Sequence, residues 1–234
     1  MKSENKRNSA REKLNRLVDA DSFQELFPNL VAVNCIDFDG YEAKLLQARE
    51  KTGEMEAVIA GRALIHGISA IVIIMNQDFM MGSMGVSAGE KITRAFEVAS
   101  ELNVPVVSIT SSGGARIQEG IFSLFQMAKT VDAVKRHSDR GLLYISVISN
   151  TALGGVSASF ASMADIILME EDAIFGFTGK RIVEETFGKP VQGNFQNASF
   201  QYENGQIDRI IRKENLKKEI FKILNLHIKI LSFM

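Results

Sequence analysis

The chain has 234 residues, 46% of them hydrophobic and 24% charged, an ordinary soluble globular composition with enough length for one sizeable core. A formal net charge of −1 excludes an overall basic field for nucleic acid or an anionic membrane, so any anion binding has to be local. The single cysteine, Cys35, excludes an intrachain disulfide and a Cys-x-x-Cys zinc site, and the longest apolar run, Ala70 to Met75, falls far below the roughly 18 residues of a bilayer-spanning helix.

Met1 to Lys13 is polar and lacks the apolar core of a signal peptide, so a reducing cytoplasm is the expected location. Ser9 to Val18 places leucines and charges at helical spacing, and Asp21-Ser22-Phe23 then predicts a turn into a short helix. Tyr41 to Lys51 reads as a second charged helix, stopped by Gly53. The pattern then changes to strands, Ala57 to Arg62 and Ile68 to Met75, joined as a hairpin across His66-Gly67. Ser87-Ala88-Gly89-Glu90 predicts a capping box that opens a helix from Ala88 to about Leu102.

Strand, glycine turn and helix then recur. Val104 to Thr110 precedes a helix over Ile117 to Arg136, Leu142 to Ser149 precedes one over Gly155 to Met163, and Ile166 to Met169 ends at Glu170-Glu171-Asp172. Phe195 to Glu203 predicts a further helix. Lys213 to Met234 is amphipathic, with Leu216, Ile220, Ile223, Leu224 and Leu231 on one face, and is expected to dock on the body or on a partner subunit. The expected organisation is one domain, with an N-terminal helical layer over 1–55, a core over 56–211 and a C-terminal amphipathic helix over 212–234.

Two glycine pairs carry the chemistry. Ser112-Gly113-Gly114-Ala115-Arg116 and Ala152-Leu153-Gly154-Gly155 both fall where a strand is expected to end and a helix to begin. Backbone N–H groups left free at such junctions suit a developing oxyanion, and glycine lets a ligand approach the backbone closely. The donors expected are the N–H groups of Gly113, Gly114 or Ala115 and of Gly154 or Gly155. His66, His137 and His227 are scattered and suggest no side-chain triad, which fits a mechanism run on backbone donors.

The order of Met80-Met81-Gly82-Ser83-Met84-Gly85, Gly89 to Glu97, Ser112 to Gly120, Gln126 to Thr130, Gly154 to Phe160 and Gly176-Phe177-Thr178-Gly179 resembles the β subunit of the carboxyltransferase of bacterial acetyl-CoA carboxylase. The resemblance runs from about Ala10 to Ile211. It implies an α/β fold of the crotonase type, a ββα spiral or superhelix, which suits the repeated layout. It also implies transfer of a carboxyl group from biotin, held on a separate biotinyl carrier protein, to acetyl-CoA to give malonyl-CoA, with two oxyanions, the enolate and the biotin ureido oxygen, to stabilise.

The implied partners are a carboxyltransferase α subunit, in an α2β2 hetero-oligomer, and the biotinyl carrier protein. No nucleic acid, membrane or zinc is expected. Gly82, Ser83, Met84, Gly85, Arg116, Phe177, Thr178 and Gly179 are the implied CoA-binding residues, although Arg116 is equally placed to pair with Glu119. Two departures from the family stand out. The four-cysteine zinc ribbon of most members is missing, whether naturally absent or removed, and Lys180-Arg181 follows Gly179 where proline-arginine is usual. Two other readings stay open, a carboxyltransferase-like subunit of a malonate or other acyl-CoA decarboxylase and a non-catalytic scaffold subunit.

Overall fold

In a computed structural model, the structure describes residues 10–191 and 193–231, with side chains described as far as residue 227. The polar leader, the start of the first helix at Ser9 and the place of Leu231 on the C-terminal stripe lie outside the described residues or side chains.

The helix α1 (Ala10–Leu17) is followed by the strand β1 (Gln24–Leu26), then by α2 (Tyr41–Thr52), which ends on Gly53 in the left-handed conformation. β2 (Val58–Ile65) and β3 (Ile68–Met75) pair antiparallel, with Ile65 opposite Ile68 across the two-residue turn. His66 and Gly67 both have positive φ, the twist a two-residue hairpin requires, and the Asp19 carboxylate accepts from both of their N–H groups. β1 replaces the expected turn into a short helix. It pairs with β2, and local helix propensity yields to satisfying an otherwise open sheet edge.

α3 (Val86–Leu102) begins two residues earlier than expected, and the capping box does not form. The Val86 N–H donates to Glu119 Oε2 at 2.5 Å, Ser87 donates its hydroxyl to the Val31 carbonyl, and Glu90 pairs with Arg94 and Lys129. β4 (Val106–Ser112) comes next, and α4 (Ile121–Ser138) starts only after a 3-10 turn, Ile117–Glu119, and a break at Gly120. β5 (Tyr144–Ala152) leads into α5 (Gly154–Ser157), a single turn followed by a separate 3-10 turn, Phe160–Met163, where one continuous helix was expected. The chain closes with β6 (Ile166–Glu170), β7 (Ile174–Phe175), α6 (Lys180–Phe187), α7 (Ala198–Glu203), β8 (Arg209–Ile211) and α8 (Leu216–Leu231).

The strands form one sheet in the order β1-β2-β3-β4-β5-β6-β8, with β7 paired to the end of β5. β3 to β6 and β8 run parallel, so their alternating residues feed two buried faces. Val72, Ile74, Val107, Ile109, Ile145 and Val147 pack on one face with α1 and with Ile220 and Leu224 of α8. Ile71, Ile73, Val106 and Tyr144 pack on the other with Phe96 of α3 and Val134 of α4. Among the described residues no helix is long and apolar enough to cross a membrane.

Candidate active site at the paired glycine turns

β4 and β5 are neighbouring parallel strands, so the turns that leave them emerge at the same edge of the sheet, where ligands of such sheets bind. Gly114 has φ 111° and Gly154 φ 64°. A Cβ on Gly114 would lie 3.3 Å from Gly154 Cα, and one on Gly154 would lie 3.1 Å from Gly114 Cα. The two turns therefore pack backbone against backbone, and glycine is required there for conformation and for closeness.

The hydrogen bonds separate donors already used from donors still free. Gly113 N–H donates to the Met81 carbonyl at 2.9 Å, Gly114 N–H to Ser112 Oγ at 3.1 Å, and Gly154 N–H to the Phe177 carbonyl at 2.8 Å. Ala115 and Gly155 have no acceptor for their N–H groups among the described residues. Ala115 and Gly155 are both half-buried, so their two open donors beside abutting turns can be reached and make a place for a ligand oxygen. Neither turn feeds a long helix: a 3-10 turn follows the first and one α-turn the second. The two N–H groups therefore have little macrodipole behind them.

A cleft of about 290 Å³ opens beside the first turn, lined by Met80, Met81, Ser83, Gly113, Ala115, Ile117 and Gln118. Met80 and Met81 both have positive φ, and Met81 is 68% exposed. Across these two methionines lies a second groove of about 480 Å³, bordered by Lys44, Gln47 and Lys51 of α2 and by Gln77 and Asp78. Lys51 pairs with Asp78 at 3.3 Å.

Arg116 is not a ligand contact. Its side chain is 0% exposed and cross-links four segments. Nη2 and Nη1 donate to the two Glu56 oxygens at 2.5 and 3.0 Å, Nη2 also to the Ser83 carbonyl at 2.7 Å, Nε to Ser83 Oγ at 3.2 Å, and Nη1 to Tyr41 Oη at 3.3 Å. Glu119 stands 3.6 Å away and accepts from the Tyr41 hydroxyl at 2.6 Å. Burial works against the guanidinium's charge, but the Glu56 carboxylate outweighs it and holds the pKa above its ordinary value.

Other implied CoA contacts also turn inward. Met84 is fully buried, Ser83 is spent on Arg116, and Gly82 and Gly85 are packed so tightly that a Cβ would overlap the Ser111 carbonyl or the Glu119 carboxylate. Only Ser83 of these four borders the cleft, with Met80 and Met81 supplying the wall instead. Phe177 and Gly179 do reach the second turn, whereas the Thr178 carbonyl accepts from Gln196 Nε2 at 2.8 Å. The Phe177 carbonyl holds Gly154 N–H, and Gly179 sits beside Leu153.

Sequence reasoning missed Glu56, Tyr41 and the α2 lysines. Glu56 is 60 residues from Arg116, and nothing local marks it. Lys44 and Lys51 were legible locally as charges on a helix, but the packing of that helix beside the Met80–Gly82 turn was not. His137 is buried between Ser100 Oγ at 3.1 Å and the Leu143 carbonyl at 3.4 Å, a structural place. Among the described residues no group of three or more His, Cys, Asp or Glu is arranged to hold a metal ion.

An apolar surface adjoins the cleft. Ile117 is 75% exposed, and Ile121, Phe122, Leu124 and Phe125 of α4 are exposed with it. α4 buries Ser123, Gln126 and Thr130 on its inner side, so its first two turns face outward with the more apolar residues.

Comparison with known proteins identifies one family. The carboxyl transferase domain family matches residues 2–227. The chain is 47% identical to the acetyl-coenzyme A carboxylase carboxyl transferase subunit beta of Clostridium novyi over 94% of this chain and 77% of that protein. It is 48% identical to the Clostridium kluyveri subunit of the same name over 94% and 76%. Among solved structures, transcarboxylase 12S with hydrolysed methylmalonyl-coenzyme A superposes with a TM-score of 0.82 at 27% identity, over 92% of this chain and 41% of that one. A Pseudomonas malonate decarboxylase hetero-dimer shares the fold, with a TM-score of 0.71 at 21% identity over 93% of this chain and 86% of that one. Paired glycine turns at the edge of this α/β sheet, found in a chain so similar over nearly its whole length, place it in the carboxyl transferase family.

Proposed function

We infer that the chain is the β subunit of an acetyl-CoA carboxylase carboxyltransferase and holds the acetyl-CoA half of the site. The observation that carries this is the pair of free N–H groups, Ala115 and Gly155, at abutting glycine turns beside an open cleft. A thioester carbonyl lying between them gains negative charge as its methyl group loses a proton. Donors already in place stabilise that enolate without reorganising, and one such donor contributes about 2.7–4 kcal/mol. Biotin on a carrier protein supplies the carboxyl group and, at its ureido nitrogen, the base. The chain's own part is to bind the thioester, orient its methyl group and hold the oxyanion.

The cleft receives the acyl-pantetheine arm, and the groove beyond Met80 and Met81 leads towards Lys44 and Lys51, which suit the CoA phosphates. Phe177 and Gly179 brace the second turn, and Gln196 holds Thr178 between them. An α-type subunit covers the apolar face at Ile117 and α4 and completes the biotin side, in an α2β2 assembly. In this reading the chain binds no zinc and the assembly is cytoplasmic.

The test is carboxyl transfer from malonyl-CoA to biocytin, by the chain alone and with a carboxyltransferase α subunit. The expected result is weak binding of acetyl-CoA by the lone chain and transfer only in the mixture. Transfer by the lone chain at the rate of the mixture would contradict the reading.

A further inference from the structure

The second glycine turn owes its position to an irregularity in β5. β4 and β5 pair in step from Val106↔Tyr144 to Thr110↔Ile148, and the next pair is Ser112↔Ala152. Two residues of β4 are thus spanned by four of β5. The surplus bends the strand around Asn150, a non-glycine residue at φ 57°. Beyond the bend, Thr151 and Ala152 pair with β7, Leu153 N–H donates to the Ser112 carbonyl, and Gly154 N–H reaches Phe177. Without the bend the turn would leave the sheet in another direction.

The bend is held from outside the site. Lys13 of α1 donates from Nζ to Ser149 Oγ at 2.9 Å, and the Ser149 hydroxyl donates in turn to Glu170 Oε2 at 2.7 Å. Ser149 is the first residue of the irregular stretch and is fully buried, and Glu170, at the end of β6, is buried as well. Burial lowers the Lys13 pKa, opposed by Glu170 and Asp78 and reinforced by Lys213. A lysine beside a serine also suits nucleophilic chemistry. The space at Lys13, between Met75, Asn76, Asp78 and Asn150, is only about 10 Å³, which leaves no room for a substrate.

We propose that Lys13 is a positioning residue, which acts through Ser149 and Glu170 to hold the β5 bend and so aims the Gly154-Gly155 turn. An ammonium, a hydroxyl and a carboxylate in series satisfy one another in a buried place, and each link fixes one segment: α1, the bend and β6. The catalytic part of this statement rests on the proposed function. The part about the turn does not.

The test compares wild type with Lys13→Met, Lys13→Arg and Ser149→Ala. Amide hydrogen exchange is measured on the full chain, and transfer kinetics on the chain assembled with an α subunit. Exchange at Leu153 and Gly154 is expected to quicken roughly tenfold in Lys13→Met and Ser149→Ala, the worth of one lost buried hydrogen bond, while β3 and the start of β4 keep their protection. kcat is expected to fall about tenfold or more with KM for acetyl-CoA little changed, and Lys13→Arg to recover much of both. Unchanged exchange at Leu153 and Gly154, or a uniform rise across the sheet, overturns the proposal. Local quickening in the chain, with no carboxyl transfer by the wild-type complex, supports the positioning role and rejects the proposed function instead.

Discussion

Arg116 shows how a residue beside the cleft can serve it without touching a ligand. Its guanidinium is bound to Glu56, Ser83 and Tyr41, with Glu119 close by, and the next residue towards the N-terminus, Ala115, carries a free N–H. Arg116→Met would leave two buried carboxylates short of a partner and is expected to cost about 3–5 kcal/mol of stability. Thermal unfolding of the lone chain measures this. A direct CoA contact would instead raise KM with the melting temperature unchanged. The glycines divide in the same way. Gly114→Val meets both a positive φ and the Gly154 backbone, so it is expected to destabilise the fold by roughly 1–3 kcal/mol before any effect on rate. Gly155 has no positive φ, and the nearest atoms to a Cβ there belong to the flexible Met127 side chain, the first at 3.0 Å. The glycine pairs were legible in the sequence because their spelling and spacing are local. The fate of Arg116 was not, because its main partner is Glu56, distant in sequence and just ahead of β2.

At the scale of elements, period-two and helical spacing located the hairpin, α2, α3 and the parallel strands, since each face is set by neighbours a few residues away. The errors fall where a distant group took over a terminus. Glu119 caps α3 in place of the Ser87 and Glu90 pair, and β2 recruits residues 24–26 into the sheet. His137 joins α4 to α3 and to the residue before β5, and burial lowers its pKa, with Asp165 raising it and Arg140 lowering it as nearby charges. The folded value lies below the unfolded one near 6.5, so the unfolded chain takes up the proton first. The stability this gives is full above about pH 6.5 and is lost as pH falls through the folded value. The melting temperature is therefore expected to drop more between pH 7.5 and 5.5 in wild type than in His137→Gln, a difference that calorimetry at the two pH values reads directly.

Across the whole molecule, the cleft at the first glycine turn adjoins the lysine-edged groove through Met80 and Met81 and meets an exposed apolar face at Ile117. That face was not legible in the sequence, because apolar residues on a helix reveal which side is buried only once the packing is known. Phe125→Glu lies on the outer side of α4 and is expected to weaken assembly with an α subunit at least tenfold while leaving the lone chain's melting temperature within a few degrees. Sedimentation of the mixture checks it. The central claim is that backbone donors at the glycine turns stabilise the enolate. Its most direct test is kcat for carboxyl transfer by the assembled complex carrying Gly155→Val, with circular dichroism and assembly shown to be near normal. Valine keeps the N–H, but its side chain presses on Met127 and tilts the turn, which moves that donor off the oxyanion, so kcat is expected to fall about 10²-fold or more, the effect of losing one oxyanion donor. A complex that folds, assembles and keeps near wild-type kcat would contradict it.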